Sequence, residues 1–191
     1  LMTSREAIVD SRNIPALKTF QKLNKKNLLQ MVKGLHLSPE LDSTGTFIHE
    51  AHAIGGYNGE SPTSVGGAYN SFVNGGYYVE PHSYTKIVYR DSDEVVEPEH
   101  EKTRVMSEET AYMMTSMLQS SAQYGLGNQS YINGAIYGAK TGTSNFDVAT
   151  KNAHGLRYDA VHDLWVSGTS PDYAISVWYG YHDIDRNYTN T

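Results

Sequence analysis

Apolar residues recur at helical spacing in five segments of the first two thirds of the chain. The pattern predicts helices over residues 4–11, 16–20, 27–32, 61–73 and 107–124. We expect Ser4 to cap the first of these helices and Asn13 to cap the second, because serine and asparagine side chains accept hydrogen bonds from the first N–H groups of a helix. The last two helices carry the clearest start signals, because Ser61 precedes Pro62 and Ser107 precedes two glutamates.

The helix predicted over residues 107–124 has an apolar stripe. Its members are Met113, Met114, Met117 and Leu118. A methionine stripe at this spacing is typical of packing against a core rather than of a ligand surface. The basic segment 22–33 also has apolar residues at near-helical spacing, so we interpret its lysines as a solvated helix face.

Strand signals dominate the later part of the chain. Aromatic and β-branched residues over 77–90 predict an extended segment that Pro81 interrupts. Three further strands are predicted over residues 135–140, 164–168 and 173–179. The turn composition of 169–172 joins the last two as a hairpin. The fold class is therefore mixed α and β, with a helical region flanking an antiparallel sheet.

Composition narrows the possible functions. The 191 residues are 39% hydrophobic, carry a formal charge of -6 and include no cysteine. This length and hydrophobic content are typical of one globular domain or part of one. The negative charge disfavours nonspecific nucleic-acid binding. The lack of cysteine excludes disulfides and cysteine-based metal sites. No apolar run approaches the roughly 20 residues that span a bilayer. Leu1 is not an initiator methionine, and the residues after it lack the charged-then-apolar order of a signal peptide. We therefore expect this chain to be a fragment whose membrane anchor lies outside it.

The chemistry begins at Lys140-Thr141-Gly142-Thr143, which ends a short predicted strand. On an extended backbone the two threonines project to one side, because side chains alternate with a period of two. An ammonium, two hydroxyls and a glycine that admits close backbone approach suit a ligand carboxylate lying along the strand. Without further context, these four residues also fit an ordinary strand end.

A second motif lies far upstream, in the turn predicted between the first two helices. Ser11-Arg12-Asn13 is unremarkable alone, but it continues as Ile14-Pro15-Ala16-Leu17-Lys18-Thr19. Together with Lys140-Thr141-Gly142-Thr143, this stretch resembles the Ser-x-Asn and Lys-Thr-Gly motifs of class A, bifunctional penicillin-binding proteins. The helix at 61–73 with the glycines after it, and the hairpin at 165–180, resemble the same family in the same order.

The resemblance implies a β-lactamase/transpeptidase-like fold that is incomplete here, with residues 1–191 as the C-terminal part of the transpeptidase domain. It implies a peptidoglycan D,D-transpeptidase that cross-links stem peptides through a serine acyl-enzyme, outside the cytoplasmic membrane, and that β-lactams inhibit. No cofactor or metal is implied. Membrane attachment would come only through an N-terminal anchor missing from this chain.

The resemblance also implies roles for individual residues. Lys140, Ser11 and Asn13 would be catalytic: Lys140 helps to move protons, Ser11 relays one, and Asn13 orients both and binds the donor amide. Thr141, Gly142 and Thr143 would bind substrate, with the threonine hydroxyls on the carboxylate. The backbone N–H of Thr143 would form half of an oxyanion hole.

The nucleophile motif of that family, Ser-x-x-Lys, does not precede Ser11. A literal match occurs at Ser83-Tyr84-Thr85-Lys86, but it stands in the wrong order and in a segment predicted to be extended. We interpret it as coincidental and expect the nucleophile on an upstream segment of the same protein. We expect loss of that segment to leave an exposed apolar patch larger than the few hundred Å² usual for a monomer.

Other candidate sites are weaker. His49 and His52 are three residues apart, so they do not reproduce a zincin helix, and we interpret them as structural. Residues 128–130 and 187–189 match the glycosylation pattern, which we regard as accidental.

Two alternatives to the transpeptidase remain open. A serine β-lactamase needs a deacylating base between the two motifs, where neither Glu40-Leu41 nor Glu50-Ala51 fits the Glu-x-x-Leu-Asn pattern. A non-catalytic penicillin-sensing or binding domain would keep the pocket but lack the nucleophile.

Overall fold

A computed structural model describes residues 2–45, 48–125, 128 and 131–181. Its helices are α1 (Ser4–Val9), α2 (Asn13–Lys22), α3 (Lys25–Gly34), α4 (Pro62–Val73), α5 (Glu108–Tyr124) and α6 (Val148–His154), and Glu50–Ile54 forms a 3-10 helix. Its strands are β1 (Tyr77–Val79), β2 (Ile87–Val88), β3 (Val95–Val96), β4 (Lys102–Arg104), β5 (Gly138–Asn145), β6 (Val161–Thr169) and β7 (Ala174–Gly180). The predicted mixture of helices and antiparallel sheet is confirmed.

The largest sheet has the strand order β5-β6-β7, and both pairings are antiparallel. Lys140 on β5 lies opposite Ser167 on β6. Within the described residues β5 pairs only with β6, so it is an edge strand with one side open for backbone hydrogen bonds. Two small two-stranded sheets pair β1 with β4 and β2 with β3, and an isolated antiparallel bridge joins Leu41 to Ile48.

Helices cover one face of this sheet. Helix α4 packs on β6 and β7, and α5 packs on β5. The close approach of α5 depends on Gly138, where a Cβ would lie 2.7 Å from the Cβ of Leu118. A second core lies between α3 and α4, where Leu35, Ala68 and Tyr78 are buried together.

The opposite face of the sheet is apolar and exposed. It carries Leu164, Val166, Ile175, Val177 and Tyr179, whose side chains alternate with the helix-covered positions. Val177 is 54% exposed and Tyr179 is 69% exposed. A fragment is expected to expose such a surface, while the fragment interpretation itself stays a prediction.

Several predicted elements differ in detail from the structure. Thr3, not Ser4, caps α1, because Thr3 and Glu6 form a reciprocal capping box. Met113, predicted to face the core, is 51% exposed, whereas Leu118 of the same stripe is buried. Strand β5 begins later than predicted and continues through the whole Lys-Thr-Gly-Thr motif.

Two predicted glycosylation patterns cannot be compared with the structure as a whole. The glycosylation patterns fall largely outside the described residues: Asn128 is described, but 129–130 and 187–189 are not. Among the residues that are described, no helix combines the length and apolar character needed to cross a membrane.

The packing of α5 on β5 gives a testable prediction. Gly138→Ala should lower the free energy of unfolding by about 1–3 kcal/mol, because its methyl group would overlap Leu118. Gly66→Ala in α4 is the matched control, since its Cβ would meet Ser176 at an ordinary 3.8 Å and alanine favours helix. Urea denaturation followed by tryptophan fluorescence measures both, and equal midpoints for the two variants would contradict the predicted packing.

Candidate active site

The turn between α1 and α2 holds Ser11 in an uncommon conformation. Its φ is 52°, in the left-handed region that glycine favours. The N–H of Ser11 donates to Ile8 O at 3.1 Å, and the N–H of Arg12 donates to Ala7 O at 2.9 Å. These two bonds form a Schellman motif with Ser11 at the position that glycine usually occupies.

A side chain at this position has an energetic cost. A left-handed conformation costs a non-glycine residue about 1–2 kcal/mol, because Cβ crowds the following carbonyl. Such strain persists where the surrounding structure enforces it, and it clusters at functional sites. The conformation directs the Ser11 side chain towards β5, where its hydroxyl has a partner.

Helix α1 is attached to the rest of the molecule through α5. The Arg5 guanidinium donates to Ser116 O at 2.6 Å, to Ser116 Oγ at 3.0 Å and to Ser120 Oγ at 2.7 Å. Since α5 in turn packs on β5 at Gly138, these contacts fix the start of α2 relative to the sheet. No local pattern around Arg5 indicates this role, because its partners are more than 110 residues away.

Lys140 and Ser11 meet across 129 residues of sequence. Lys140 Nζ donates to Ser11 Oγ at 2.8 Å and to the carbonyl oxygen of Thr141 at 2.7 Å. Because Lys140 is the donor, the hydroxyl hydrogen of Ser11 can point to a third group. Partial burial lowers the pKa of Lys140, since desolvation disfavours the ammonium form. The pair can therefore pass a proton between this lysine and a group beyond Ser11.

The two threonines lie on the other face of β5. The register of β5 is regular from Gly138 to Ser144, so Thr141 and Thr143 share one face while Lys140 and Gly142 share the opposite one. One extended ligand can meet both sets of groups only if it lies along the open edge of the strand. Thr141 is half-buried and Thr143 is exposed.

Asn13 and Gly142 are the remaining predicted site residues, and no hydrogen bond in the described residues joins the Asn13 side chain to Ser11 or Lys140. Asn13 is the first residue of α2, exposed and two positions from Ser11, but it is not the cap of that helix. A Cβ on Gly142 would lie 3.3 Å from the Cβ of Trp165, so glycine here gives the neighbouring strand close access.

The alternative motifs lie elsewhere. Ser83 and Lys86 are exposed in the irregular segment before β2, and neither begins a helix. His52 is buried, and its Nε2 lies 3.5 Å from Glu40 Oε2; burial lowers the pKa of His52. Among the described residues, no three His, Cys, Asp or Glu side chains are grouped to hold a metal ion.

Comparison with known proteins identifies the family. Residues 1–190 match the penicillin binding protein transpeptidase domain. The chain belongs to the penicillin-binding protein transpeptidase family. Penicillin-binding protein 1A/1B of Bacillus subtilis is 35% identical over 94% of this chain, and penicillin-binding protein 1A of Streptococcus pneumoniae is 31% identical over 94%. The resemblance to class A penicillin-binding proteins is confirmed.

Solved structures of this family share the fold. Penicillin-binding protein PonA1 of Mycobacterium tuberculosis superimposes with a TM-score of 0.73 at 20% identity, over 92% of this chain and 47% of its own. Penicillin-binding protein 3 from Mycobacterium tuberculosis, complexed with aztreonam, gives 0.71 at 21% identity, over 92% and 44%. The chain spans only 19% and 25% of the Bacillus and Streptococcus relatives.

The conformation of Ser11 gives a second prediction. Ser11→Gly should be more stable than Ser11→Ala by about 1 kcal/mol, because glycine relieves the left-handed strain and alanine retains it. Both variants lose the hydroxyl, so the difference isolates the backbone. Urea unfolding midpoints measure it, and an alanine variant as stable as the glycine variant would show that Ser11 is unstrained.

Proposed function

We infer that this chain supplies the Ser-x-Asn and Lys-Thr-Gly-Thr half of a peptidoglycan D,D-transpeptidase that forms a serine acyl-enzyme. The observation that carries the proposal is the 2.8 Å contact between Lys140 Nζ and Ser11 Oγ, which joins two motifs 129 residues apart. Two motifs matched by chance would have no reason to share a hydrogen bond. Membership of the transpeptidase family supports the same function.

The proposed chemistry is acyl transfer. A serine outside this chain attacks the D-Ala-D-Ala amide carbonyl, and its proton leaves as the new C–O bond forms. That proton passes to a base on the same outside segment, because Ser11 Oγ already accepts a hydrogen bond from Lys140 Nζ. The hydrogen of Ser11 is available to a neighbour, so Ser11 can donate it to the nitrogen of the leaving D-alanine while taking a proton from Lys140. The departing D-alanine takes a proton as the C–N bond breaks. An amine of a neighbouring stem peptide then attacks the acyl carbon. It loses a proton as the new C–N bond forms, and the serine oxygen regains one as its C–O bond breaks.

The open edge of β5 is the proposed donor site. An extended stem peptide adds to this edge by backbone hydrogen bonds, as peptides add to exposed sheet edges elsewhere. The hydroxyls of Thr141 and Thr143 hold its carboxylate, and the positive charge of Lys140 attracts it. Asn13 binds the donor amide, and the Thr143 N–H forms half of the oxyanion hole.

The proposed enzyme also needs a nucleophile and a membrane anchor, which we assign to parts of the protein outside this chain. We place the nucleophile on a segment with Ser-x-x-Lys that docks beside Ser11, and the enzyme on the outer face of a bacterial cell membrane, attached by an anchor outside this chain. β-Lactams are the proposed inhibitors. Aztreonam is bound to the Mycobacterium tuberculosis relative of the same fold, which supports that proposal.

The two glutamates considered for a β-lactamase base both accept hydrogen bonds from other parts of the chain. Glu40 Oε1 accepts a hydrogen bond from the N–H of Asn58 at 2.6 Å, and Glu50 Oε1 accepts one from Gln21 Nε2 at 3.1 Å. Both candidate bases therefore have structural partners in other parts of the chain. A non-catalytic penicillin-binding domain would retain the Ser11–Lys140 pair, and the full-length protein would lack Ser-x-x-Lys.

Labelled penicillin tests the function in the full-length protein that carries this chain. Lys140→Ala and Ser11→Ala should each slow acylation by about 10²–10⁴-fold, because proton transfer and the carboxylate grip are lost. Lys86→Ala is the control and should react at the wild-type rate. Mapping the adduct should place it outside this chain. An adduct on Ser83, or fast release of hydrolysed penicillin, would overturn the proposal.

The lowered pKa of Lys140 predicts a pH profile. The ammonium is fully present at low pH and is lost as pH rises through its lowered pKa, so attraction of the carboxylate weakens on that side. We expect acylation at low penicillin concentration to fall with a midpoint below about 10.4, the ordinary lysine value. Lys140→Arg stays charged and should lose this alkaline fall, which would persist if another group caused it.

A further inference from the structure

The end of β5 beyond Thr143 is shaped by an irregularity in its pairing with β6. Ser144 pairs with Asp163, and Asn145 pairs with Val161, so His162 is an extra residue in β6. An extra residue of this kind is a β-bulge, and bulges redirect side chains near active sites. In a regular strand His162 and Asp163 would point to opposite faces. Here His162 Nδ1 lies 2.6 Å from Asp163 Oδ2.

The Asp163 carboxylate connects all three strands of the sheet. Ser144 Oγ on β5 donates to Asp163 Oδ2, and Trp178 Nε1 on β7 donates to Asp163 Oδ1 at 2.8 Å. Burial raises the pKa of Asp163, but the hydrogen bonds from Ser144, Trp178 and His162, with the charge of His162, outweigh it and lower the pKa. The carboxylate is therefore ionised and able to accept all three contacts.

Neighbouring residues are adapted to this cluster. Gly180 pairs with Asp163, and a Cβ there would lie 3.0 Å from the Trp178 ring and 2.6 Å from the His162 carbonyl oxygen. Glycine at position 180 therefore leaves room for the Trp178 ring to reach the Asp163 carboxylate. The Phe146 ring packs edge-on against His162, with ring centroids 4.9 Å apart. The cluster is thus held by packing as well as by hydrogen bonds.

The residue types suggest a Ser-His-Asp triad, but the geometry does not form one. In a triad the histidine stands between serine and aspartate, bonding one through each ring nitrogen. Here Ser144 Oγ and His162 Nδ1 both contact the same oxygen of Asp163. The Ser144 hydroxyl donates to a carboxylate whose lowered pKa makes it a weak base, and His162 contacts Asp163 instead of the hydroxyl, so Ser144 is not an activated nucleophile.

The position of the cluster gives it a different role. Lys140, Gly142 and Ser144 share one face of β5, and Asp163 lies on that face opposite Ser144. Ser144 directly follows Thr143, whose hydroxyl and N–H belong to the proposed carboxylate and oxyanion sites. We propose that Asp163 is a positioning residue that fixes the Thr141–Thr143 end of β5 through Ser144, in the geometry that receives a substrate carboxylate. This rests on the proposed function of that strand.

The first test compares penicillin with its methyl ester in the full-length protein. Asp163→Asn should raise the dissociation constant for penicillin about tenfold, because a hydrogen bond to a charged group is lost at the strand end. The ester has no carboxylate for the threonines to hold, so its weaker binding should be the same in wild type and variant. A merely structural defect would affect both ligands alike.

Two further variants keep the test decisive if Asp163→Asn misfolds. Ser144→Ala should raise the dissociation constant for penicillin about as much, whereas Ser144→Thr retains a hydroxyl and should restore it. Asp159→Asn is the control, because that exposed carboxylate pairs only with Arg157 in the described contacts and lies outside the cluster. Equal losses of affinity for penicillin and ester would overturn the proposal, and so would unchanged penicillin affinity in Ser144→Ala. Either result would leave the enzyme function intact.

Amide hydrogen exchange provides a readout that does not depend on penicillin. In Asp163→Asn and Ser144→Ala, exchange of those N–H groups of residues 141–144 that pair with β6 should rise about tenfold relative to wild type, while β7 residues 174–177 stay unchanged. Unchanged exchange at 141–144 would overturn the positioning role. If the wild-type protein did not react with penicillin, the enzyme proposal would fail, and exchange would still decide whether Asp163 holds the strand.

Discussion

The hydrogen bond from Lys140 Nζ to Ser11 Oγ depends on the whole assembly of helices and sheet. Strand β5 places the lysine, and Gly138 allows α5 to approach that strand. Arg5 attaches α1 to α5, so the turn after α1 has a defined position relative to the sheet. The left-handed backbone at Ser11 then directs the hydroxyl. The proposed proton relay between these motifs needs this rigidity, because proton transfer requires hydrogen-bond distance.

The parts of the fold that local chemistry determines could be predicted from the sequence. Helices α4 and α5 begin at their predicted serine caps because a cap and the N–H groups that it bonds lie within three residues. The exposure of Met113 could not be predicted, since periodicity does not define which neighbours cover each side of a helix. Strand β5 extends further than its apolar run because pairing with β6 orders the polar residues after Lys140.

The candidate site divides in the same way. Lys140, Ser11 and the threonines could be found because family motifs preserve residue types at recognisable positions. Asp163 and His162 could not, since a bulge is a property of two paired strands and leaves no pattern in either alone. Gly180 likewise looks like an ordinary strand glycine until the Trp178 ring is placed against it. Contacts among residues of several strands can be identified only when the pairing register of those strands is known.

An edge strand that receives a ligand must stay ordered without giving up its open side. Exposed edges tend to pair with other chains, and proteins usually blunt or cover them. Here β5 is held on one face at two points, by Lys140 bonded to Ser11 and by Ser144 bonded to Asp163. Both anchors are contacts between side chains, and Lys140 Nζ also donates to the carbonyl oxygen of Thr141 on the same strand. The segment between the two anchors pairs with β6 on one side and is open on the other, as the proposed binding of an extended peptide requires.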